Sequence, residues 1–269
     1  MSSPSPVSLL LSTLAGLSAV FCSSAPAQDQ GSSRPDTCVI PSGEYAPIVR
    51  SKGEPEKTPV PAFRLAIVPA TNAEFLGFVR ANPQWQRSRA SALFVDVGYL
   101  SHWAGDLELG SEAPPNSPVV RVSWFAARAY VKWVGARLPL TAEWELAAGA
   151  GFSRKDSGKD KIFVNYVLDW LAHPTPAILP AVGSTPPNFY GVKDLQGLVW
   201  EWVEDFNTAL VTGESRGDTG LERNLFCGAG SIGAKDRDNY PAFMRAAYRS
   251  SLNASYCIGN LGFRCAYSL

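Results

Sequence analysis

The chain has 269 residues with 24 Lys+Arg against 24 Asp+Glu, so it carries no net field to gather a polyanion, and nucleic acid is excluded as a natural partner. Charged residues make up 18% of it, below the ~25% of ordinary domains, while 8 Trp, 9 Tyr and 13 Phe accompany 23 Gly and 21 Pro. That profile excludes bundles, coiled coils and disorder, and predicts an aromatic core wrapped in irregular backbone.

Residues 1–27 contain no Lys, Arg, Asp or Glu. The run Val7 to Val20 is apolar or small and too short to span a bilayer, and Ala25-Pro26-Ala27 is a small-x-small cleavage signal. Residues 1–27 therefore read as a signal peptide removed after Ala27, which implies a periplasmic or secreted protein. Cys22 is a poor lipoprotein acceptor because Phe21 stands before it, where a small residue is needed. No later segment is long or apolar enough to anchor the mature chain, so no membrane span is expected. Residues 28–37 read as a flexible linker and residues 38–269 as one domain.

Cys38-Val39-Ile40 is a short apolar island in a stretch rich in Ser, Pro, Gly and Lys that runs to about Pro61. Phe63 to Val68, bounded by prolines, suits a strand near a sheet edge. Thr71-Asn72-Ala73-Glu74 is a capping box, and Phe75, Leu76, Phe78 and Val79 recur at helical spacing, so a helix of about ten residues starts here and Pro83 limits it. Ser117 to Val122 is a strand candidate. Ser123 can cap a helix whose apolar stripe is Trp124, Ala127, Val131 and Val134, with Gly135 as its stop. After Arg137-Leu138-Pro139, Thr141 is expected to cap a third helix carrying Trp144 and Leu146. From Gly149 onward the pattern dissolves into short apolar pieces, with no repeat of fixed period.

Cys38, Cys227, Cys257 and Cys265 remain after the signal, and an even set in an exported protein favours disulfides over metal ligation. Four cysteines allow three pairings, which the sequence leaves open. There is no Cys-x-x-Cys. The only histidines, His102 and His173, are too few for a three-histidine iron or zinc site and read as loop residues making ordinary hydrogen bonds.

Gly228-Ala229-Gly230-Ser231-Ile232-Gly233 has the dinucleotide spacing, but Ala234-Lys235-Asp236-Arg237-Asp238-Asn239-Tyr240-Pro241 is not expected to open the buried helix that such a site needs. It reads as a glycine-rich turn.

Larger blocks carry more information. Pro118 to Trp124, Arg137 to Glu145, Asn188 to Trp202 and Gly262-Phe263-Arg264-Cys265, in that order, resemble the formylglycine-generating enzyme or sulfatase-modifying-factor family. The resemblance runs from about Val39 to the C-terminus and implies an α+β, loop-rich, C-type-lectin-like fold with little regular secondary structure. Trp124, Trp144, Trp200 and Trp202 would anchor its core, each indole N–H needing a partner. Arg137, Arg249 and Arg264 read as internal ties to carboxylates or carbonyls.

The same resemblance implies a structural calcium at Asp194, Gly197, Val199 and Glu201, a mixed oxygen shell that suits a hard cation. Two carboxylates satisfied by Arg and backbone N–H groups are the alternative. It also locates the family's copper(I) chemistry, which uses two cysteines just after a Gly-Gly-Ser block. Here Ala234 stands where the first would fall, Cys227 precedes the block, and no cysteine lies between Ser231 and Arg249, so copper is not supported. The family's disulfide positions fall on Val131 and Ala246, leaving Cys265 to pair with Cys38 or Cys257 or to stay free.

Arg121 to Tyr130, Trp200 to Arg223 and Asn224 to Arg264 resemble the exported subgroup encoded beside copper nitrite reductases. That implies an accessory protein assisting a periplasmic client. An oxidoreductase acting through a non-standard site and a lectin-like binding module remain open beside it. The expected client surface runs from Glu204 to Asn239 and carries Asp205, Asn207, Glu214, Arg216, Asp218, Arg223, Asp236 and Asp238.

Overall fold

The apolar island after the linker forms strand β1 (Thr37–Ile40), which pairs antiparallel with β4 (Phe63–Ala66) so that Cys38 lies opposite Leu65. In the computed structural model the described residues are 1, 35–48, 55–207 and 240–269, and the elements below belong to the unit formed by residues 32–269. The rest of the segment expected as a signal peptide, most of the expected linker, Cys227 and the Gly228–Gly233 run lie outside them.

On its other side β4 pairs antiparallel with β7 (Ala266–Ser268), making a sheet of order β1-β4-β7. The strand expected near an edge is thus central. Pro61 and Pro69 flank the paired stretch rather than interrupt it, so neither removes a ladder donor. Strands β2 (Gly43–Tyr45) and β3 (Thr58–Val60) form a second antiparallel pair, and β5 (Trp200–Trp202) and β6 (Leu261–Phe263) a parallel one.

Helix α1 (Asn72–Ala81) has the expected capping box: Glu74 N donates to Thr71 Oγ1 at 3.2 Å and Thr71 N donates to Glu74 Oε2 at 2.8 Å. It ends before Pro83, which opens a short 3-10 turn. Helix α2 (Trp124–Trp133) is capped by Ser123 and stopped at Gly135, whose φ of 71° is left-handed. Phe75 and Phe78 of α1 pack with Tyr130 of α2 at ring separations of 5.7 Å, and Phe263 of β6 closes the cluster at 5.2 Å from Tyr130.

Ser117–Val122 is extended but joins no sheet. Its groups pair with loops: Val119 N donates to Ala70 O, Arg121 N to Ile258 O, and Arg121 O accepts from Leu100 N. A left-handed φ of 55° at Arg121 breaks the strand geometry. Helix α3 (Thr141–Ala148) starts one residue earlier than expected. Leu140 takes the cap position, and Thr141 N and Oγ1 both donate to Asp205 Oδ1, at 2.6 and 2.9 Å.

Among the described residues two further helices lie where the pattern dissolved. Helix α4 (Lys161–Ala172) is capped by Asp160 and buries Phe163, Val164 and Val167. Helix α5, described over Tyr240–Ser250, buries Pro241, Phe243, Arg245 and Arg249. Charged groups stand on its inner face, so apolar periodicity does not reveal it. Among the described residues no helix is long and apolar enough to cross a membrane.

Candidate functional site

The motif blocks converge on a buried ion-pair network. Glu201, from β5, accepts from Arg264 Nε and Nη2 at 2.8 and 2.7 Å, and both side chains are fully buried. The remaining Arg264 donors reach the carbonyls of Ala66, Ile67 and Lys193, so one guanidinium ties β5 to β4 and to the turn before Asp194. Trp144 Nε1 also donates to Glu201, at 2.7 Å. Arg249 and Arg245 of α5 lie over the Trp144 ring, 4.9 and 5.6 Å from its centroid, and both bind Glu145 of α3. Burial alone would raise the Glu145 carboxyl, but Arg245 and Arg249 outweigh it and hold it down at about 2. Arg137 grips Glu143 with two bonds of 2.6 and 2.7 Å. The three arginines expected as ties are ties.

Beside this network lies a cavity of about 850 Å³ between β2, α3, the start of α4 and the first turn of α5. Its lining includes Tyr45, Glu145, Tyr190, Gln196, Pro241 and Arg245. Burial, then Glu145, pushes the Tyr45 phenol up to about 12, so it stays neutral. Among the described residues no cysteine lines this cavity. Pro241 and Ala242 are the described lining residues nearest in sequence to Ala234, where the first family thiol would stand.

The described cysteines correct the disulfide expectation: Cys38, Cys257 and Cys265 are free thiols, and Cys227 lies outside the described residues. Cys38 and Ala266 face Leu65 from opposite sides of β4, which puts β1 and β7 about 10 Å apart, too far for a bridge. Cys265 precedes Ala266 and so points to the other face of the sheet. Burial pushes the Cys257 and Cys265 thiols up to about 12, and raises Cys38 as well. These thiols do not fit a copper(I) pair.

The expected calcium set is placed on one turn but is heavily used by protein donors. Asp194 accepts from Gly183 N, Thr185 N and Thr185 Oγ1, and Glu201 is shared between Arg264 and Trp144. Gln196, which sequence reasoning passed over, lies on the same turn, and its Oε1 is buried with no donor among the described residues. A cation here would draw on Gln196, the carbonyls of Gly197 and Val199, and a share of Glu201.

Of the expected client surface, Asn207 is exposed and Asp205 caps α3; Glu214, Arg216, Asp218, Arg223, Asp236 and Asp238 lie outside the described residues. Glu204 instead lines a second groove, of about 660 Å³, with Trp85, Phe94, Phe125 and Leu140 as its apolar surface and Arg128, Lys132 and Arg137 along it. Of this lining Phe94 and Leu140 are exposed, and Leu93 and Val97, close to Phe94 in the chain, are exposed as well. His173 is a loop residue bonded to the Asp169 carbonyl, as expected, whereas His102 has both ring nitrogens buried without a partner.

Residues 23–269 match the family model described as "Sulfatase-modifying factor enzyme 1-like domain". The formylglycine-generating enzyme of Streptomyces coelicolor is 31% identical over 257 residues, covering 86% of this chain and 76% of that protein. The inactive C-alpha-formylglycine-generating enzyme 2 of Mus musculus is 28% identical, covering 81% of this chain and 79% of that protein. The hercynine oxygenase of Mycolicibacterium smegmatis is 32% identical, but this chain spans 37% of its length. Among solved structures, CarF superposes with a TM-score of 0.51 at 16% identity, covering 88% of this chain and 99% of that one. That likeness is one of fold alone.

Proposed function

We propose that this chain, which belongs to the sulfatase-modifying factor enzyme 1-like domain family, is an exported accessory protein that binds a periplasmic client, a copper nitrite reductase-type enzyme, during its maturation. The loop-rich α+β fold of the family is retained, and its charged network is turned inward to hold that fold. The observation that carries the reading is the groove beside Glu204, whose apolar lining includes exposed Phe94 and Leu140, with exposed Leu93 and Val97 close to Phe94 in the chain, since exposed apolar side chains at a concavity mark protein-binding surfaces. The lack of any cysteine between Ser231 and Arg249 separates this reading from a copper oxidase.

Co-expression with a copper nitrite reductase precursor provides the test. The wild-type chain is expected to co-purify with the precursor and raise its copper content, and the double variant Leu93→Asp/Phe94→Asp to lose both effects. Equal copper loading with and without this chain would sink the proposal. A sulfatase peptide co-expressed under copper is expected to yield no formylglycine, and substantial conversion would restore the oxidase. Export is checked by N-terminal sequencing of the mature protein, expected to begin at Gln28.

The turn from Asp194 to Glu201 is further proposed to take a structural calcium, supported by the unpartnered Gln196 Oε1. Calcium is expected to raise the melting midpoint, and chelator to reverse it, in wild type but not in Gln196→Leu. An unchanged wild-type midpoint removes the ion.

A further inference from the structure

The buried imidazole of His102 belongs to none of the chemistry above. Both of its ring nitrogens are buried with no hydrogen-bond partner among the described residues, an arrangement that is costly unless a bound group completes it. The ring lines a small cavity of about 50 Å³ whose other polar walls are Arg121, Glu112, Asn72 and Ser117. Asn72 and Ser117 are already satisfied: Asn72 donates to Pro114 O and accepts from Trp103 Nε1, and Ser117 Oγ donates to Leu179 O at 2.6 Å. Glu112 is exposed.

Arg121 is the opposite of the other motif arginines. Its guanidinium makes no ion pair or hydrogen bond among the described residues. It lies against Gly259, 3.4 Å from where a Cβ would stand, so a larger residue there would crowd it. Arg121 and Leu100 both hold left-handed backbone, with φ of 55° and 46°, and Leu100 N donates to Arg121 O at 2.9 Å. Arg121, which lines the cavity, is thus held in a backbone conformation that L side chains adopt reluctantly, and Leu100, bonded to it, shares that conformation.

The cavity thus offers a fork of guanidinium donors and an imidazole, with one exposed carboxylate among its walls. Its small volume suits a group of few atoms. We infer that the cavity between His102 and Arg121 binds a small planar monoanion of formate size, its two oxygens taken by the Arg121 fork and one of them also by a His102 N–H. Arg87 adds positive potential at the ring, while its Nη1 donates to the carbonyls of Leu100 and Trp103. The inference stands apart from the client-binding reading and does not depend on it.

The chain's histidine count makes the test direct. With histidine labelled at its ring carbon, the full chain gives two signals, His102 in the cavity and exposed His173 as internal control. Formate is titrated in with gluconate, a much bulkier anion, holding ionic strength constant. The expected result is a saturable shift of the His102 signal and a rise in its apparent pKa, with His173 unmoved. Arg121→Gln is expected to abolish the shift. Arg121→Gly, which suits the left-handed φ and guards against a folding failure, is expected to abolish it too. A His102 signal that does not saturate, or a saturable shift that survives in either variant, overturns the inference.

Discussion

Two buried polar regions of this molecule have opposite bookkeeping. In the network around Trp144, Glu201, Arg264, Glu145, Arg245 and Arg249 meet one another in charge-assisted bonds of 2.5 to 3.1 Å. At the His102 cavity the imidazole and the Arg121 guanidinium have no partners among the described residues. A buried charge that is fully paired is committed to holding the fold, whereas a half-buried guanidinium and a neutral imidazole that are unpaired are available to a ligand. The family motifs therefore mark architecture at Arg264 and Glu201, whereas the odd residues in the block before α2 mark a binding opportunity.

The comparison is broken most severely by removing one partner of the Glu201–Arg264 pair. Glu201→Gln leaves Arg264 as a fully buried, uncompensated cation and weakens the acceptor for Trp144, which is expected to cost about 3–5 kcal/mol. In a chain of this size that lowers the melting midpoint by roughly 10 °C or more. Glu201→Leu/Arg264→Leu, which removes both charges, is expected to be milder than Glu201→Gln. Thermal unfolding of the three proteins reads this, and a double variant worse than the single would show that the pair is not the stabilising unit.

The same contrast appears in pH dependence. Glu145 sits at about 2 in the fold against 4.5 as an ordinary carboxyl, so its stabilisation is complete above pH 4.5 and is lost as pH falls through about 2. The full effect is about 3 kcal/mol, and Glu145→Gln should erase that acid transition. His102 titrates the other way in origin. Burial, then Arg121 and Arg87, lowers it from 6.5 to about 4, so the unfolded chain takes the proton first. Stability is complete above pH 6.5 and falls between 6.5 and 4, by about 2 kcal/mol after discounting for the ring's partial solvent contact. His102→Leu should flatten this upper window and leave the Glu145 window in place, measured by denaturant unfolding across pH. Flattening of both by one variant would merge the two regions that the structure separates.

What the sequence revealed follows the same division. The capping box at Thr71 and the Ser123 cap are local, so four consecutive residues were enough to place α1 and α2. The arginine ties were legible because they sit in blocks shared with a known family. Helix α5 was not, since its inner face carries Arg245 and Arg249, whose partner Glu145 is a hundred residues away. The strand expected at Ser117–Val122 failed for a related reason: its partners are loops brought in by tertiary contacts. His102 looked like an ordinary loop residue, because no local pattern tells whether an imidazole will be buried among groups already paired.

Asp205 gives the smallest and most discriminating effect, because it was expected on the client surface and the structure gives it a place in the paired region. Its Oδ1 accepts both the backbone N–H and the hydroxyl of Thr141, serving α3 as a cap donated from 64 residues away. Asp205→Ala should therefore cost about 1 kcal/mol of stability, the usual price of a lost helix cap, while client recovery stays at the wild-type level. The groove variant Leu93→Asp/Phe94→Asp should show the reverse, with stability kept and recovery lost. If Asp205→Ala instead loses the client with its melting midpoint intact, the carboxylate faces a partner rather than Thr141, and the boundary between the molecule's structural and available polar groups must be redrawn at the end of β5.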